Sequence, residues 1–246
     1  MPDLENMTAL VVGASRGLGR GVAEAFVDAG ARAVLVARDA GPLAALAASS
    51  RNVVVEAADA SDPVVAGTLL DRHRPDVLAL VAGASPLLRP IHHHTWETFS
   101  TNWNTDVRMT FHWLREVLLL PLRPGSRVIV MSSGAALQGS PVSGGYAGAK
   151  ATQRFIADYA AQESRRAGLG ISVTAVLPRL TAATDLGRPA VAAYAARAGI
   201  TEDQFLAQMG TPVTPEVAGA AFLRLATGDA EAAAYVLTGD GLQPLP

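Results

Sequence analysis

The chain has 246 residues, a formal net charge of -2 at pH 7 and no cysteine. The small net charge gives no electrostatic case for binding nucleic acid or an acidic membrane surface, so we expect neither as a partner. The lack of cysteine excludes disulfides and thiolate metal sites and is typical of a reducing compartment, so we expect a cytoplasmic protein.

The composition indicates a helix-covered sheet. Hydrophobic residues make up 50% of the chain and aromatic residues only 5%. The core must therefore be built from Ala, Val and Leu, as where helices pack closely on a parallel sheet. The N-terminal segment is acidic, short and leads directly into a strand, so we expect no signal peptide. The apolar stretches are interrupted too often to span a bilayer.

Apolar runs alternate with helical patterns along the whole chain. The runs predict strands at residues 8–12, 33–37, 52–57, 77–82, 127–131, 171–177 and 234–237. Strand and helix alternation implies right-handed crossovers and a parallel sheet with helices on both faces. We therefore predict a single α/β domain over residues 1–246, a doubly wound (Rossmann) sheet of about seven strands in the order 3-2-1-4-5-6-7.

A glycine-rich turn follows the first strand. Its spacing, Gly13-x-x-x-Gly17-x-Gly19, differs from the common G-x-G-x-x-G dinucleotide fingerprint. Glycines there let the backbone approach a pyrophosphate, which the following helix N-terminus holds, although small residues also serve close helix–strand packing. The position after the first strand favours the nucleotide interpretation.

The end of the second strand predicts the cofactor. A free ribose 2′-hydroxyl usually meets an acidic residue there, whereas a 2′-phosphate needs a cation. This chain has Ala37 and Arg38, with Arg16 in the glycine turn. We therefore predict NADP(H) over NAD(H), with the reservation that a one-residue shift would bring Asp39 to the ribose. After the third strand, Asp59 is a candidate acceptor for the adenine amino group or a helix cap, a role for which Ser61 or Asp62 is better placed.

The chain's single lysine, Lys150, follows Tyr146 by four residues. At that spacing on a helix, two side chains share one face. A phenol titrates near ~10, and a nearby ammonium favours the phenolate, so Tyr146 is a candidate general acid/base. Ser133, at the end of the fifth strand, is a candidate to hold a carbonyl oxygen beside the phenol, while Ser132 should point the other way.

An insert after the sixth strand is placed to cover a crevice. Residues 179–215 contain two short helical patterns, at 190–198 and 202–209. We predict that this insert acts as a substrate lid. The predicted pocket wall consists of Ser85, Pro86, Leu87, Leu137, Gln138, Ser140, Leu180, Tyr194 and Phe205.

The chain resembles the short single-domain branch of the short-chain dehydrogenase/reductase family. The glycine turn, Asp59, Asn104, Ser133 and Tyr146-x-x-x-Lys150 occur in the family's order and spacing. The resemblance implies that Tyr146 exchanges the proton, Ser133 orients the substrate oxygen, Lys150 binds the nicotinamide ribose and Asn104 holds a relay water. The implied cofactor-binding residues are Gly13, Ser15, Arg16, Gly17, Leu18, Gly19, Arg38, Asp59, Ala82, Gly83, Tyr146, Lys150 and Pro178.

Three positions depart from the family pattern. Val81 stands where relatives usually have the asparagine of Asn-Ala-Gly, a loss that we expect to affect stability more than chemistry. Arg179 replaces the usual glycine after Pro178, where it either binds an acidic substrate, contacts the cofactor's phosphates or points to solvent. Thr181 and Thr184 are both candidates for the threonine that contacts the nicotinamide amide.

Two further clusters have simpler interpretations. His92, His93 and His94 are consecutive, a spacing that does not suit a metal, so we expect no metal site. Aromatic residues are concentrated in residues 96–113, which indicates a buried or subunit-facing stripe. In the resembling family this helix and the Tyr/Lys helix commonly form subunit interfaces, so a homodimer or homotetramer is expected.

The sequence therefore predicts an NADPH-dependent oxidoreductase that interconverts a carbonyl and a secondary alcohol by hydride transfer, with a medium-sized, moderately hydrophobic ketone as substrate. Two alternatives stay open. One is a non-catalytic NADP-binding sensor or scaffold on the same fold. The other is an enzyme that uses the bound cofactor for dehydration or isomerisation.

Overall fold

The fold is taken from a computed structural model, which describes residues 3–228 and 230–246. Met1, Pro2 and Asp229 lie outside the described residues, so the prediction for the N-terminal segment falls partly outside them. Within the described part of the chain, no helix is long and apolar enough to cross a membrane.

One sheet runs through the molecule in the order β3-β2-β1-β4-β5-β6-β7-β8. Its strands are β1 (Thr8–Val12), β2 (Arg32–Ala37), β3 (Val53–Ala57), β4 (Val77–Leu80), β5 (Arg127–Met131), β6 (Ser172–Pro178), β7 (Ala234–Thr238) and β8 (Gly241–Pro244). The first seven pair in parallel, which confirms the predicted α/β class and strand order.

The predicted strand count was one too low. β8 returns antiparallel along β7 after a tight turn, pairing Thr238 with Gly241 and Tyr235 with Pro244. This strand was not predicted from the sequence because it is short and contains a glycine and a proline, both of which are depleted in strands. Proline is tolerated here because β8 is an edge strand.

Helices cover both faces of the sheet. They are α1 (Gly17–Asp28), α2 (Ala44–Ser49), α3 (Pro63–His73), α4 (Trp96–Phe99), α5 (Arg108–Leu119), α6 (Ala135–Gln138), α7 (Tyr146–Arg166), α8 (Gly187–Ala198), α9 (Glu202–Met209) and α10 (Pro215–Thr227). Short 3-10 turns lie at Gly41–Leu43 and Ile91–His93, and a wide π-helical turn at Trp103–Val107 leads into α5.

The core consists of two apolar layers, one on each face of the sheet. Because successive strand residues point to opposite faces, Val11 packs with Phe26 of α1 and Phe222 of α10, whereas Leu10 packs in the layer that contains Trp113 of α5. This two-sided burial explains why the strands read as continuous apolar runs.

The strand order reverses next to β1. β1 pairs with β2 on one side and with β4 on the other. In open α/β sheets, such a switch point leaves a crevice at the carboxyl ends of the strands, where ligands bind. The fold therefore places the loops after β1, β4, β5 and β6 around one crevice.

Candidate functional site

A cavity of about 1020 Å³ lies at the carboxyl ends of the strands. Most of the residues predicted for cofactor, chemistry and substrate line it. These are Gly13, Ser15, Arg16, Gly17, Leu18, Gly19, Arg38, Asp59, Ala82, Gly83, Ser133, Leu137, Gln138, Tyr146, Lys150, Pro178, Leu180, Tyr194 and Phe205. Most of the residues found by sequence pattern therefore border one crevice.

The glycine turn is shaped by close backbone contacts. Gly13 has φ +92°, and a Cβ there would lie 2.5 Å from the backbone nitrogen of Ala82. A Cβ on Gly19 would lie 2.1 Å from the carbonyl oxygen of Gly13. Glycine is therefore required at both positions. The chain turns tightly enough for α1 to begin at Gly17 with its N-terminus at the cavity, which suits a phosphate group.

Two exposed arginines line the cavity near this turn. Arg16 occupies the N-cap position of α1, and Arg38 follows β2. Asp39 turns its carboxylate back to accept a hydrogen bond from the backbone nitrogen of Gly41 at 2.9 Å, and it is not a lining residue. The loop after β2 therefore contributes a positive charge, that of Arg38, to this end of the cavity.

Asp59 also lines the cavity, where it organises the turn before α3. Its Oδ1 accepts hydrogen bonds from the backbone nitrogen of Ser61 at 2.9 Å and from the Ser61 hydroxyl at 2.8 Å. These bonds, with a smaller effect from Arg38, hold the pKa of Asp59 below its ordinary value, so it is a carboxylate. The helix cap is Asp62, which accepts from the backbone nitrogen of Val64, so Asp59 is not needed for that role.

The residues of the predicted reaction centre, Ser133, Tyr146 and Lys150, all line the cavity. Tyr146 is the first residue of α7 and is half-buried, and Lys150 lies one turn later with its Nζ 5.5 Å from the centroid of the Tyr146 ring. Ser133 lines the same space after β5, and its Oγ accepts a hydrogen bond from the backbone nitrogen of Ala135 at 3.2 Å. The neighbouring Ser132 donates its hydroxyl to the carbonyl oxygen of Lys150 at 2.7 Å, which fixes the start of α7 against β5.

Asn104 does not join this centre. Its side chain is exposed, donates to the Ser100 hydroxyl at 3.3 Å and does not line the cavity. The physical reason is the π-helical turn at Trp103–Val107, whose extra residue changes which side chains face inward. The structure brings Asp106 to the cavity in place of Asn104.

Sequence reasoning missed Asp106, although a signal was present. Asp106 lies three and seven residues before Met109 and Trp113, both of which are buried, so the helical period places it on the buried face. A carboxylate on a buried face needs a cationic partner. Its Oδ2 lies 3.1 Å from the Nζ of Lys150, the only lysine in the chain.

The far end of the cavity is formed by the insert and the loop before α7. The hydroxyls of Tyr194 in α8 and Ser140 are hydrogen-bonded, and Ser143 donates to Ser140 at 2.5 Å. Tyr194 and Phe205 stack across α8 and α9, with ring centroids 6.1 Å apart. Two of the predicted pocket residues, Ser85 and Leu87, do not line the cavity; their neighbours Pro86 and Leu88 do.

Arg179, Thr181 and Thr184, the positions after β6 whose roles the sequence left open, all border the cavity. Arg179 is exposed. Thr181 is buried and accepts a hydrogen bond from the backbone nitrogen of Ala183, whereas Thr184 accepts one from that of Gly187. Thr184 also packs against the glycine turn, because a Cβ on Gly17 would lie 3.4 Å from its methyl group.

The histidine run is part of a hydrogen-bonded loop. His94 bonds through its two ring nitrogens to the Thr98 hydroxyl at 3.2 Å and to the carbonyl oxygen of Arg89 at 3.1 Å. Within residues 3–228 and 230–246, no group of three or more His, Cys, Asp or Glu side chains is arranged to hold a metal ion.

Comparison with curated proteins gives two relatives. The short chain dehydrogenase/reductase AacuD of Aspergillus aculeatus is 30% identical over 164 residues, which cover 63% of this chain and 58% of that protein. The dehydrogenase/reductase SDR family member 1 of Mus musculus is 29% identical over 246 residues, covering 91% of this chain and 76% of that protein. The chain therefore matches less than two thirds of the Aspergillus protein's length.

Solved structures show the same fold. A short-chain dehydrogenase/reductase of Brucella melitensis described as a glucose/ribitol dehydrogenase superposes with a TM-score of 0.77 at 23% identity, over 92% of this chain and 91% of that one. The 3-ketoacyl-(acyl-carrier-protein) reductase of the same organism, solved with NADH, superposes with a TM-score of 0.79 at 20% identity, over 96% and 98%.

The family assignment rests on the sequence. A model of the short chain dehydrogenase family matches residues 7–195, which include the glycine turn, Ser133, Tyr146 and Lys150. The matched range covers well over half of the 246 residues. The chain therefore belongs to the short-chain dehydrogenase/reductase family.

Proposed function

We propose that the protein is an NADPH-dependent oxidoreductase that interconverts a carbonyl and a secondary alcohol. The observation that carries this proposal is that Tyr146, Lys150 and Ser133 line the same cavity as the glycine turn. This shared lining supports a proton-exchanging group and a phosphate-binding turn that act on two molecules bound side by side. Such an arrangement suits hydride transfer coupled to proton transfer.

The roles follow from the chemistry of each group. The phenol of Tyr146 donates its proton to the carbonyl oxygen during reduction and accepts it back during oxidation. The Ser133 hydroxyl donates a hydrogen bond to the same oxygen, where negative charge grows in the transition state. The Lys150 ammonium binds the nicotinamide ribose and stabilises the phenolate. A nicotinamide cofactor held in the cavity would supply the hydride for reduction or accept it during oxidation.

The preference for NADPH rests on the two arginines. Arg16 and Arg38 are exposed cations that line the cavity, with no described ion-pair partner, while Asp39 points to Gly41. A ribose 2′-phosphate would find two guanidinium groups, which bind phosphate as bidentate donors. Asp59 keeps its Oδ2 free of the described Ser61 hydrogen bonds, so it suits the adenine amino group.

The substrate end supports a medium-sized, moderately hydrophobic ketone. Leu137, Leu180 and Phe205 supply apolar surface, and Gln138 and Tyr194 supply polar groups. We propose that α8 and α9 form the lid over this end, because both contribute lining residues and lie in one insert between β6 and α10. The proposal includes no residue that holds a water of the proton relay, because the Asn104 side chain, for which that role was expected, does not line the cavity.

The experiment that tests the proposal measures NADPH consumption by the purified protein against a panel of ketones, aldehydes and quinones. A reductase consumes one NADPH for each product formed. A cofactor-assisted dehydratase or isomerase forms product without net NADPH loss, and a sensor binds NADPH without product. Product without NADPH loss, or binding without turnover across the panel, would contradict the proposal.

A further inference from the structure

A buried ion pair joins the reaction centre to the helix beside it. The side chains of Asp106 and Lys150 are 0% and 6% exposed, and Asp106 Oδ2 lies 3.1 Å from Lys150 Nζ. Two charges this deeply buried are retained only if each is compensated by the other or by hydrogen bonds. The lysine beside Tyr146 is therefore not a lone cation.

The carboxylate of Asp106 is held by donors on both oxygens. Its Oδ1 accepts from the backbone nitrogen of Ala84 at 2.7 Å, and its Oδ2 also accepts from the Asn102 amide at 3.4 Å. Asn102 donates as well to the carbonyl oxygen of Ala84 at 2.8 Å. Asp106 and Asn102 thus anchor the segment after β4, where Val81 has no side-chain donor. An uncharged asparagine at position 106 would offer only one acceptor oxygen for these donors.

The charges that act on Lys150 come from two neighbours, Asp106 and Tyr146. Burial acts to lower the pKa of Lys150, but the Asp106 carboxylate and the charge of Tyr146 outweigh it and raise that pKa. Within the described residues, these are the charged or titratable groups that act on the Lys150 ammonium. The adjoining hydrogen-bonded side chains, Ser132, Thr110 and Gln153, are neutral.

The Asp106–Lys150 ion pair affects the protonation of the Tyr146 phenol. A lone ammonium favours the phenolate strongly. An ammonium paired with a carboxylate favours it less, because the negative charge of the carboxylate offsets part of the attraction. We propose that Asp106 is a positioning residue that holds Lys150 in place and offsets its charge, so that Tyr146 stays a phenol to higher pH and the site favours protonation of a carbonyl. The inference rests on the proposed function, since it assigns that site to reduction at neutral and mildly alkaline pH.

The test is a spectroscopic titration that needs no substrate. Phenolate absorbance is followed against pH for the wild type and Asp106→Asn, and the same curves for Tyr146→Phe and Asp106→Asn/Tyr146→Phe are subtracted to isolate Tyr146 from the other three tyrosines. We expect the Tyr146 signal to appear about one pH unit lower in Asp106→Asn, because a nearby charge shifts such an equilibrium by about 1–3 units. Where a substrate is available, the alkaline limb of the reduction rate should shift by the same amount.

Asn102→Ala is the matched control. It removes a neutral anchor of the same segment, so it should lower thermal stability without moving the Tyr146 signal. If Asp106→Asn also leaves that signal in place, Asp106 is merely structural and the inference is wrong. If Asp106→Asn does not fold, the comparison of Lys150→Met with Asp106→Asn/Lys150→Met takes its place. The double variant has a neutral pair, and its Tyr146 signal should appear at lower pH than in Lys150→Met.

The two proposals fail in different ways. A shift of the Tyr146 signal without any NADPH turnover would leave the electrostatic role of Asp106 standing and contradict the proposed function. NADPH turnover with an unshifted Tyr146 signal would support the proposed function and contradict the electrostatic role of Asp106.

Discussion

Among single residues, we propose that Arg38 determines the preference for NADPH over NADH. We predict that Arg38→Asp lowers the preference for NADPH over NADH by about tenfold or more, because each charge-assisted hydrogen bond to a phosphate is worth about 1.5–3 kcal/mol. The measurement is kcat/KM with each cofactor.

Arg51→Asp is the control for that variant. Arg51 is also exposed but does not line the cavity, so the same charge change there should leave the ratio unaltered. An unchanged ratio in Arg38→Asp would contradict the assignment of Arg38 to the 2′-phosphate.

Site residues that are close together in the sequence could be predicted from their spacing. Contacts between residues that are far apart in the sequence could not. Tyr146 and Lys150 are one helical turn apart, so their shared face follows from spacing alone. The partner of Lys150 is Asp106, which comes from a different helical segment. The helical period indicates that Asp106 is buried, but it does not identify Lys150 as its partner, which is 44 positions away in the sequence. The π-helical turn, which changes which side chains face inward, was not predicted, and Asn104 faces away for that reason.

At the scale of elements, the packing of α1 against α10 depends on glycine. A Cβ on Gly21 would lie 2.0 Å from the carbonyl oxygen of Pro215, a backbone atom that cannot rotate away. We predict that Gly21→Ala lowers the free energy of unfolding by about 1–3 kcal/mol, the usual cost of overpacking a core. Urea titration of the variant and the wild type measures this difference.

Gly67→Ala serves as the comparison. Gly67 lies within α3, where a Cβ would meet its nearest atom, Glu116 Oε2, at an ordinary 3.5 Å. Alanine there should be neutral or stabilise by up to about 1 kcal/mol, the difference in helix propensity. Equal unfolding midpoints for Gly21→Ala and the wild type would refute the packing argument.

Strands and helices with a strong apolar period were predicted well. The parallel strands are buried on both faces, so their apolar runs are continuous. The helical pattern predicted at 190–198 corresponds to α8, which begins three residues earlier at Gly187. The structure has α9 over Glu202–Met209, capped by Thr201 and Gln204 as a capping box. β8 was not predicted, because a short edge strand is stabilised by pairing in its hairpin and its composition does not identify it.

For the whole molecule, we propose a homodimer or homotetramer. Phe111 of α5 and Phe155 of α7 are 51% and 54% exposed, and Phe155 stacks on the exposed Tyr159. Large exposed apolar side chains on adjacent helices are typical of subunit interfaces. Sedimentation velocity should give a mass at least twice the 25.4 kDa of the chain.

A double variant tests which surface is responsible. Phe111→Glu/Phe155→Glu should shift the population towards monomer, since it buries two unpaired charges in the interface. Val64→Glu, at an exposed apolar residue of α3, should not. A monomeric wild type would contradict the proposed assembly.

We propose that Tyr146 exchanges the proton with the substrate. The most direct test of this proposal compares kcat and the NADPH dissociation constant of Tyr146→Phe with those of Tyr159→Phe, which removes an exposed hydroxyl from the same helix. We expect Tyr146→Phe to lose about 10²–10⁴-fold in kcat, the usual contribution of general acid catalysis, while still binding NADPH. Tyr159→Phe should keep wild-type turnover. Wild-type kcat in Tyr146→Phe with a true substrate would contradict the mechanism.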